Sequence, residues 1–187
     1  MQVNSIGAGI FTIEGFLSPE ECHAYIEHSE KIGYEAALIN TEQGARMLPE
    51  VRNNHRILYD DAQLADQLYQ RARPYLPQDI QGWQLCGFNE RLRFYRYGPG
   101  EFFKRHKDGT YIRSTTEESA LTFMIYLNED FEGGTTEFNW EVVTPRIGMA
   151  LVFPHRMSHQ GSQVREGLKY VLRTDVMYRD EIGHRSR

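Results

Sequence analysis

Leu121-Thr122-Phe123-Met124-Ile125-Tyr126-Leu127-Asn128 is the stretch on which the fold turns. Successive side chains of a strand point to opposite faces. Leu121, Phe123, Ile125 and Leu127 therefore share one face, and Thr122, Met124 and Tyr126 share the other. Two further stretches alternate in the same way. Arg91 to Tyr97 sets Arg93, Tyr95 and Tyr97 on one side. Leu168 to Tyr178 opposes Leu168, Tyr170, Leu172, Thr174 and Val176 to Lys169, Val171, Arg173 and Asp175. Ile147 to Phe153 reads as a buried strand, and Gly98-Pro99-Gly100 and Gly133-Gly134 mark turns. Short strands at this spacing predict a mainly β fold, a sandwich or double-sheet jelly roll.

The first half is mixed. Ile10 to Leu17 reads as a short strand. Ser18-Pro19-Glu20-Glu21 fits a capping box with proline at the first helical position. Cys22, Tyr25 and Ile26 give that helix an apolar face, and Gly33 ends it. A second helix starts near Asp60 or Asp61, with Leu64, Ala65, Leu68, Ala72 and Tyr75 on one stripe, and Pro74 and Pro77 close it. Such helices would support the outside of the β core. The expectation is one domain over 1–187, with 1–90 giving helical support and substrate-side elements and 91–180 the jelly-roll core.

Composition excludes several classes. A net charge of −5 argues against a nucleic-acid partner. Cys22 and Cys86 form no C-x-x-C pair, so neither a disulfide framework nor a zinc knuckle is indicated. No apolar run approaches the roughly 20 residues of a membrane helix, and Met1 to Gly15 lacks the pattern of a signal peptide. The expectation is a cytoplasmic protein without a membrane partner; its oligomeric state is not legible.

His106-Lys107-Asp108 is the first motif with chemical content. At positions i and i+2 of a strand, an imidazole and a carboxylate face one ion. A third ligand must come from elsewhere, and His159 and His155 both qualify. Two histidines and a carboxylate make the facial triad of non-haem iron(II) oxygenases, with positions left open for co-substrate and oxygen. Alone, an H-x-D is more often a surface pair than a metal site. His23, His28, His55 and His184 read as solvated or structural.

Four motifs in order resemble the prolyl-4-hydroxylase-like branch of the 2-oxoglutarate/Fe(II) dioxygenases. They are Tyr97-Gly98-Pro99-Gly100 with Phe103 and His106-Lys107-Asp108; the strand ending Tyr126-Leu127-Asn128; Gly133-Gly134-Thr135-Thr136-Glu137-Phe138; and Pro145 to Phe153 leading to His159, Val164, Gly167, Lys169 and Tyr170. The resemblance covers roughly residues 91 to 178. It implies a jelly-roll core with His106, Asp108 and His159 as metal ligands and catalytic centre. The family's interval between distal histidine and cation matches the step from His159 to Lys169, not that from His155.

The resemblance also implies Fe(II), 2-oxoglutarate and O2 as cofactors, with ascorbate as a rescuer of oxidised iron. Lys169 would hold the distal carboxylate of 2-oxoglutarate, since a buried carboxylate needs a cation. Tyr126 would add a hydrogen bond, Arg173 is a rival or auxiliary carboxylate binder, and Tyr97 would stand at the mouth of the site. The activity implied is hydroxylation of a C–H bond in a peptidyl residue or a small molecule. The other classes are a catalytically silent metal-binding or sensor protein and a zinc hydrolase. Arg46, Arg52 and Arg56, with Asn53-Asn54-His55, read either as a substrate-side segment, in which Arg52 or Arg56 would hold a substrate carboxylate by a bidentate contact, or as solvated loop charge. Arg113 to Ser119 reads as a mobile lid.

Overall fold

The computed structural model describes residues 1–41, 44–46 and 48–180; His184 lies outside them. The first helix runs Pro19–Ile32. The Ser18 hydroxyl accepts from the Glu21 N–H at 3.2 Å and the Glu21 carboxylate accepts from the Ser18 N–H at 2.9 Å, so the capping box is complete. Gly33 ends the helix with a positive φ of 91°. The second helix, Ala62–Ala72, starts where the Asp61 carboxylate accepts from the Leu64 N–H at 2.9 Å. It buries Ala65, Leu68, Tyr69 and Ala72, and a 3-10 turn at Arg73–Tyr75 closes it where Pro74 removes the next donor.

The main sheet is antiparallel. Its order is Gln2–Gly7, Ile10–Glu14, Ala150–Pro154, Glu117–Tyr126, Lys169–Arg179, Arg91–Tyr97, His55–Asp60 and Glu35–Ala36. A smaller antiparallel sheet runs Phe103–His106, His159–Gly161, Thr136–Glu137 and Val142–Val143. Alternation along the central strands sends residues to two different cores. Leu92, Phe94, Leu121, Phe123, Ile125, Tyr170 and Leu172 pack on the helices with Phe16, Leu68 and Tyr69. Tyr95, Tyr97, Tyr126, Leu151, Phe153 and Val171 pack with Phe138 and Val164 on the other side. This is the helix-supported double-sheet architecture expected from the sequence.

Several strands were not expected, and two of them are instructive. Gln2–Gly7 is exposed on both faces, so it carries no apolar alternation and is held only by its hairpin with Ile10–Glu14. His55–Asp60 buries only Ile57 and is recruited by pairing with Arg91–Tyr97. The first half thus supplies strands to the main sheet as well as helices. The lid expectation for Arg113 to Ser119 is corrected. Ile112–Ser114 pairs with the start of the Glu117–Tyr126 strand. Arg113 binds Glu90 and, at 2.5 Å, Glu117, and Glu117 also accepts from Arg179 at 2.9 Å. Charge-assisted bonds to a buried carboxylate fasten this hairpin to the sheet.

One glycine governs the junction between the Ile10–Glu14 strand and the body of the fold. Gly148 has φ +74°, and a Cβ there would lie 2.0 Å from the Leu17 carbonyl oxygen. Gly148→Ala is expected to cost about 3 kcal/mol, from left-handed strain plus forced displacement of backbone. That corresponds to a fall in Tm of roughly 6–12 °C for a chain of this size. Thermal unfolding checks it, and an unchanged Tm would count against the close approach.

Candidate metal centre

His106 ends the Phe103–His106 strand, and its cross-strand partner is His159. Pairing two strands therefore brings the two imidazoles together, with ring centroids 4.3 Å apart. Asp108 is not on the strand. It lies on irregular backbone after the strand, and its own N–H donates to the His155 carbonyl at 2.9 Å. Asp108 thus meets His106 with its backbone pinned to the segment that leads to His159, not through strand periodicity alone.

The three side chains place one donor atom each within 4.8 Å of one another. His106 Nε2 lies 3.6 Å from Asp108 Oδ1, and His159 Nε2 lies 3.8 Å from Asp108 Oδ2. The far ring nitrogens settle the tautomers. Nδ1 of His106 is 2.8 Å from the Lys104 carbonyl and Nδ1 of His159 is 2.9 Å from the Met157 carbonyl. Each Nδ1–H donates to a carbonyl, so each Nε2 turns a lone pair toward Asp108, as metal-ligating histidines do. Burial pushes the His159 imidazole down to about 4, against the pull of Asp108, which keeps that lone pair free at neutral pH.

Asp108 is buried, which pushes its carboxyl up. The Arg173 guanidinium at 3.0 Å, with His106, His159 and the Thr122 hydroxyl, outweighs burial and holds it well below the usual carboxylate range. Thr122 donates to Asp108 Oδ2 at 2.5 Å. Arg173 also reaches Asp175 at 3.2 Å, leaving its buried Nε without a partner. The second arginine on Asp175 is Arg93, at 3.0 Å.

His155 is buried away from this group. Its ring nitrogens contact Thr122 Oγ1 at 3.0 Å and Ser119 Oγ at 2.8 Å. Both being engaged, it supports Thr122 and offers nothing to a metal. His28 packs edge-on against Tyr59 and His55 lies 3.0 Å from Glu101, which fits the structural reading of both.

Lys169 sits deeper in the same pocket, beside Tyr97 on the neighbouring strand. It is fully enclosed, and Nζ donates to the Gly134 carbonyl at 2.6 Å. The Tyr97 and Tyr126 rings lie 5.2 and 5.4 Å from the ammonium. No acid pairs with it among the described residues, and burial pushes its pKa down to about 7. Gly134 can approach because it has no Cβ; one would lie 3.1 Å from the Lys169 Cδ. The Tyr126 hydroxyl bonds Thr136 Oγ1 at 2.7 Å, and Thr136 lines the pocket with Tyr97, Thr122, Met124 and Arg173.

Sequence reasoning missed two contributors. Phe103 stacks on His106 with ring centroids 3.5 Å apart. Thr122 was seen only as pocket lining, although its place opposite Leu121 and Phe123 put a hydroxyl on the metal side. Of the three arginines singled out in the sequence, Arg52 is buried, while Arg46 is exposed and Arg56 is partly buried.

The protein is thus an antiparallel double sheet that carries a His-Asp-His cluster able to hold a metal ion. Residues 92–174 match the family model described as the 2OG-Fe(II) oxygenase superfamily. Solved structures of similar fold include the viral collagen prolyl hydroxylase from Paramecium Bursaria Chlorella virus-1 in its 2OG complex. It is 22% identical, with 91% of this chain and 97% of that chain covered and a TM-score of 0.68. A Pseudomonas putida prolyl-4-hydroxylase is 20% identical, with 91% and 92% covered and a TM-score of 0.64. A Trichoplax adhaerens prolyl hydroxylase in complex with a hypoxia inducible factor peptide fragment is 16% identical, with 94% and 85% covered and a TM-score of 0.67. No curated protein sequence matches the chain. The family match supports a 2-oxoglutarate-dependent dioxygenase, and the cofactors of that family are Fe(II), 2-oxoglutarate and O2.

Proposed function

We propose that the chain, acting as one domain, hydroxylates a C–H bond of a peptidyl residue, in the manner of a prolyl hydroxylase, or of a small molecule. His106, Asp108 and His159 hold iron(II), and Lys169 holds the distal carboxylate of 2-oxoglutarate. One observation carries this reading. Three metal-accepting atoms converge beside an enclosed ammonium that has no acidic partner among the described residues. The donor set of two imidazoles and one carboxylate suits iron(II) and leaves positions open. An unpaired buried cation suits a ligand that brings its own carboxylate.

When bound, iron(II) supplies the redox chemistry that couples decarboxylation of 2-oxoglutarate to succinate and CO2 with substrate hydroxylation, which side chains cannot perform. The residues supply placement. The Lys104 and Met157 carbonyls fix the histidine tautomers, and Thr122 and Arg173 orient an ionised Asp108. Phe103 and Phe153 contribute apolar walls that keep water out. Tyr97 lines the pocket beside the Lys169 ammonium. A silent sensor protein has no need of Lys169, and a zinc hydrolase has no need of a buried cation for a diacid. The peptide held by the Trichoplax adhaerens enzyme favours a peptidyl substrate.

The test is succinate formation by anaerobically purified protein given iron(II) and 2-oxoglutarate and then oxygen. Succinate that depends on both additions supports the reading; its absence with every candidate substrate counts against it. Lys169 adds a pH signature. The anion binds the charged ammonium, whose pKa in the free protein is lowered to about 7. Affinity is therefore flat below pH 7 and falls as pH rises above it, by up to about tenfold per unit. Tyr97, pushed up to about 12, and His159, near 4, titrate outside this window. Lys169→Arg should abolish the dependence, as seen by calorimetric titration of 2-oxoglutarate; an affinity that rises with pH would contradict it.

A further inference from the structure

Arg52 and Arg56 are two cations beside the pocket whose charge nothing in the mechanism uses. The segment 51–54 lies antiparallel against 100–104. Lys104 N–H donates to the Val51 carbonyl at 2.9 Å, Phe102 N–H donates to Asn53 Oδ1 at 2.8 Å, and Arg52 bridges to Phe103. This extends the small sheet that carries His106 and fixes the direction of Arg52. Its side chain is 4% exposed. The guanidinium carbon is 4.7 Å from the Tyr95 ring centroid and 4.4 Å from that of Phe103. Phe103 stacks in turn on His106. One aromatic ring thus separates the guanidinium from the metal cluster.

The hydrogen bonding of Arg52 is incomplete. Nε donates to Asn54 Oδ1 at 2.5 Å, while the buried Nη2 has no partner. Arg56 sits opposite Tyr95 in the strand pairing, on the same side of the sheet. Burial first, and then Arg52 and Arg93 nearby, make its charge less favourable. Among the described residues neither arginine has an acidic partner, whereas Arg93 and Arg173 are neutralised by Asp175 and Asp108. A buried guanidinium with a free N–H and no counter-charge is costly unless a ligand completes it. A neutral amide would satisfy the hydrogen bond and leave the charge. A carboxylate satisfies both and matches the guanidinium fork.

We propose that Arg52, backed by Arg56, recognises a carboxylate of the substrate beside the metal cluster. The substrate class is then a compound or peptide segment with a carboxylate close to the C–H bond that is oxidised. This deepens the hydroxylase reading and rests on it for the word substrate, but the anion site can be tested without turnover.

The experiment uses the whole chain loaded anaerobically with Mn(II) and 2-oxoglutarate, and ligand-observed NMR. Two acid–amide pairs separate the sources of the carboxylate. N-acetyl-L-proline against N-acetyl-L-prolinamide represents a free carboxylate; the capped peptides Gly-Pro-Glu-Gly and Gly-Pro-Gln-Gly represent a side-chain one. At least one acid should bind about 10- to 100-fold more tightly than its amide. Arg52→Gln should abolish that preference, Arg56→Gln should reduce it, and Arg52→Lys should restore part of it. Equal binding of acid and amide in both pairs, including none in either, overturns the proposal without any variant. So does a preference that survives Arg52→Gln, or a loss confined to 2-oxoglutarate affinity, which would move Arg52 to the co-substrate. Acid preference without succinate formation would leave the anion site standing and defeat the hydroxylase reading instead.

Discussion

His159→Ala is expected to lower divalent-metal affinity by more than about 100-fold, beyond the loss typical of removing an outer partner of a metal ligand. Iron(II) or Mn(II) titrated anaerobically is the measurement. Three donor atoms within 4.8 Å become two, and Asp108, still neutralised by Arg173, cannot hold the ion with one imidazole. His155→Ala is the contrasting variant. Its ring binds Thr122 and Ser119, so the variant should lower stability by about 1–3 kcal/mol through two lost buried hydrogen bonds and the cavity left by the ring. Metal affinity should fall by less than about tenfold, through the slackened Thr122–Asp108 bond. If metal binding survived His159→Ala and vanished in His155→Ala, the ligand assignment would be wrong.

Lys169→Ala should weaken 2-oxoglutarate binding by about 2–5 kcal/mol, the scale of removing one partner of a buried charge pair. That is roughly 30- to several-thousand-fold in Kd. Metal affinity should hardly change, because Lys169 touches none of the three ligands. Folding stability should change little. The free protein loses the bond to the Gly134 carbonyl and the contacts with the Tyr97 and Tyr126 rings, but no longer has to bury an unpaired ammonium. An unchanged 2-oxoglutarate Kd would transfer the carboxylate to Arg173, whose buried Nε lacks a partner.

Much of this was legible in the chain itself. The period-two stretches at 91–97, 121–128 and 168–178 carry their own face assignment, because a strand buried on both sides must send alternate residues to two different cores. The capping box at Ser18–Glu21 is a local hydrogen-bond pattern, and so is the Asp61 cap. His106, Asp108, His159 and Lys169 were readable from motif order and spacing. Strands without alternation were not: Gln2–Gly7 and His55–Asp60 owe their conformation to a neighbour's free edge rather than to their own side chains. The 113–119 hairpin resembled a lid because its polar residues are paired with Glu90 and Arg179, distant in sequence.

The sequence by itself determined the helix-supported double sheet, the H-x-D with a distal histidine, and the cation that follows it. These depend on local periodicity, capping and spacing. Only the tertiary structure decided that the Asp108 backbone is held by the His155 carbonyl, that Arg173 lies on Asp108, that the Tyr126 hydroxyl bonds Thr136, and that Arg52 is buried without a counter-charge. Each depends on which side chains from separate strands meet in a medium of low polarity. Burial and pairing across strands, not residue type, set the state of a charge there.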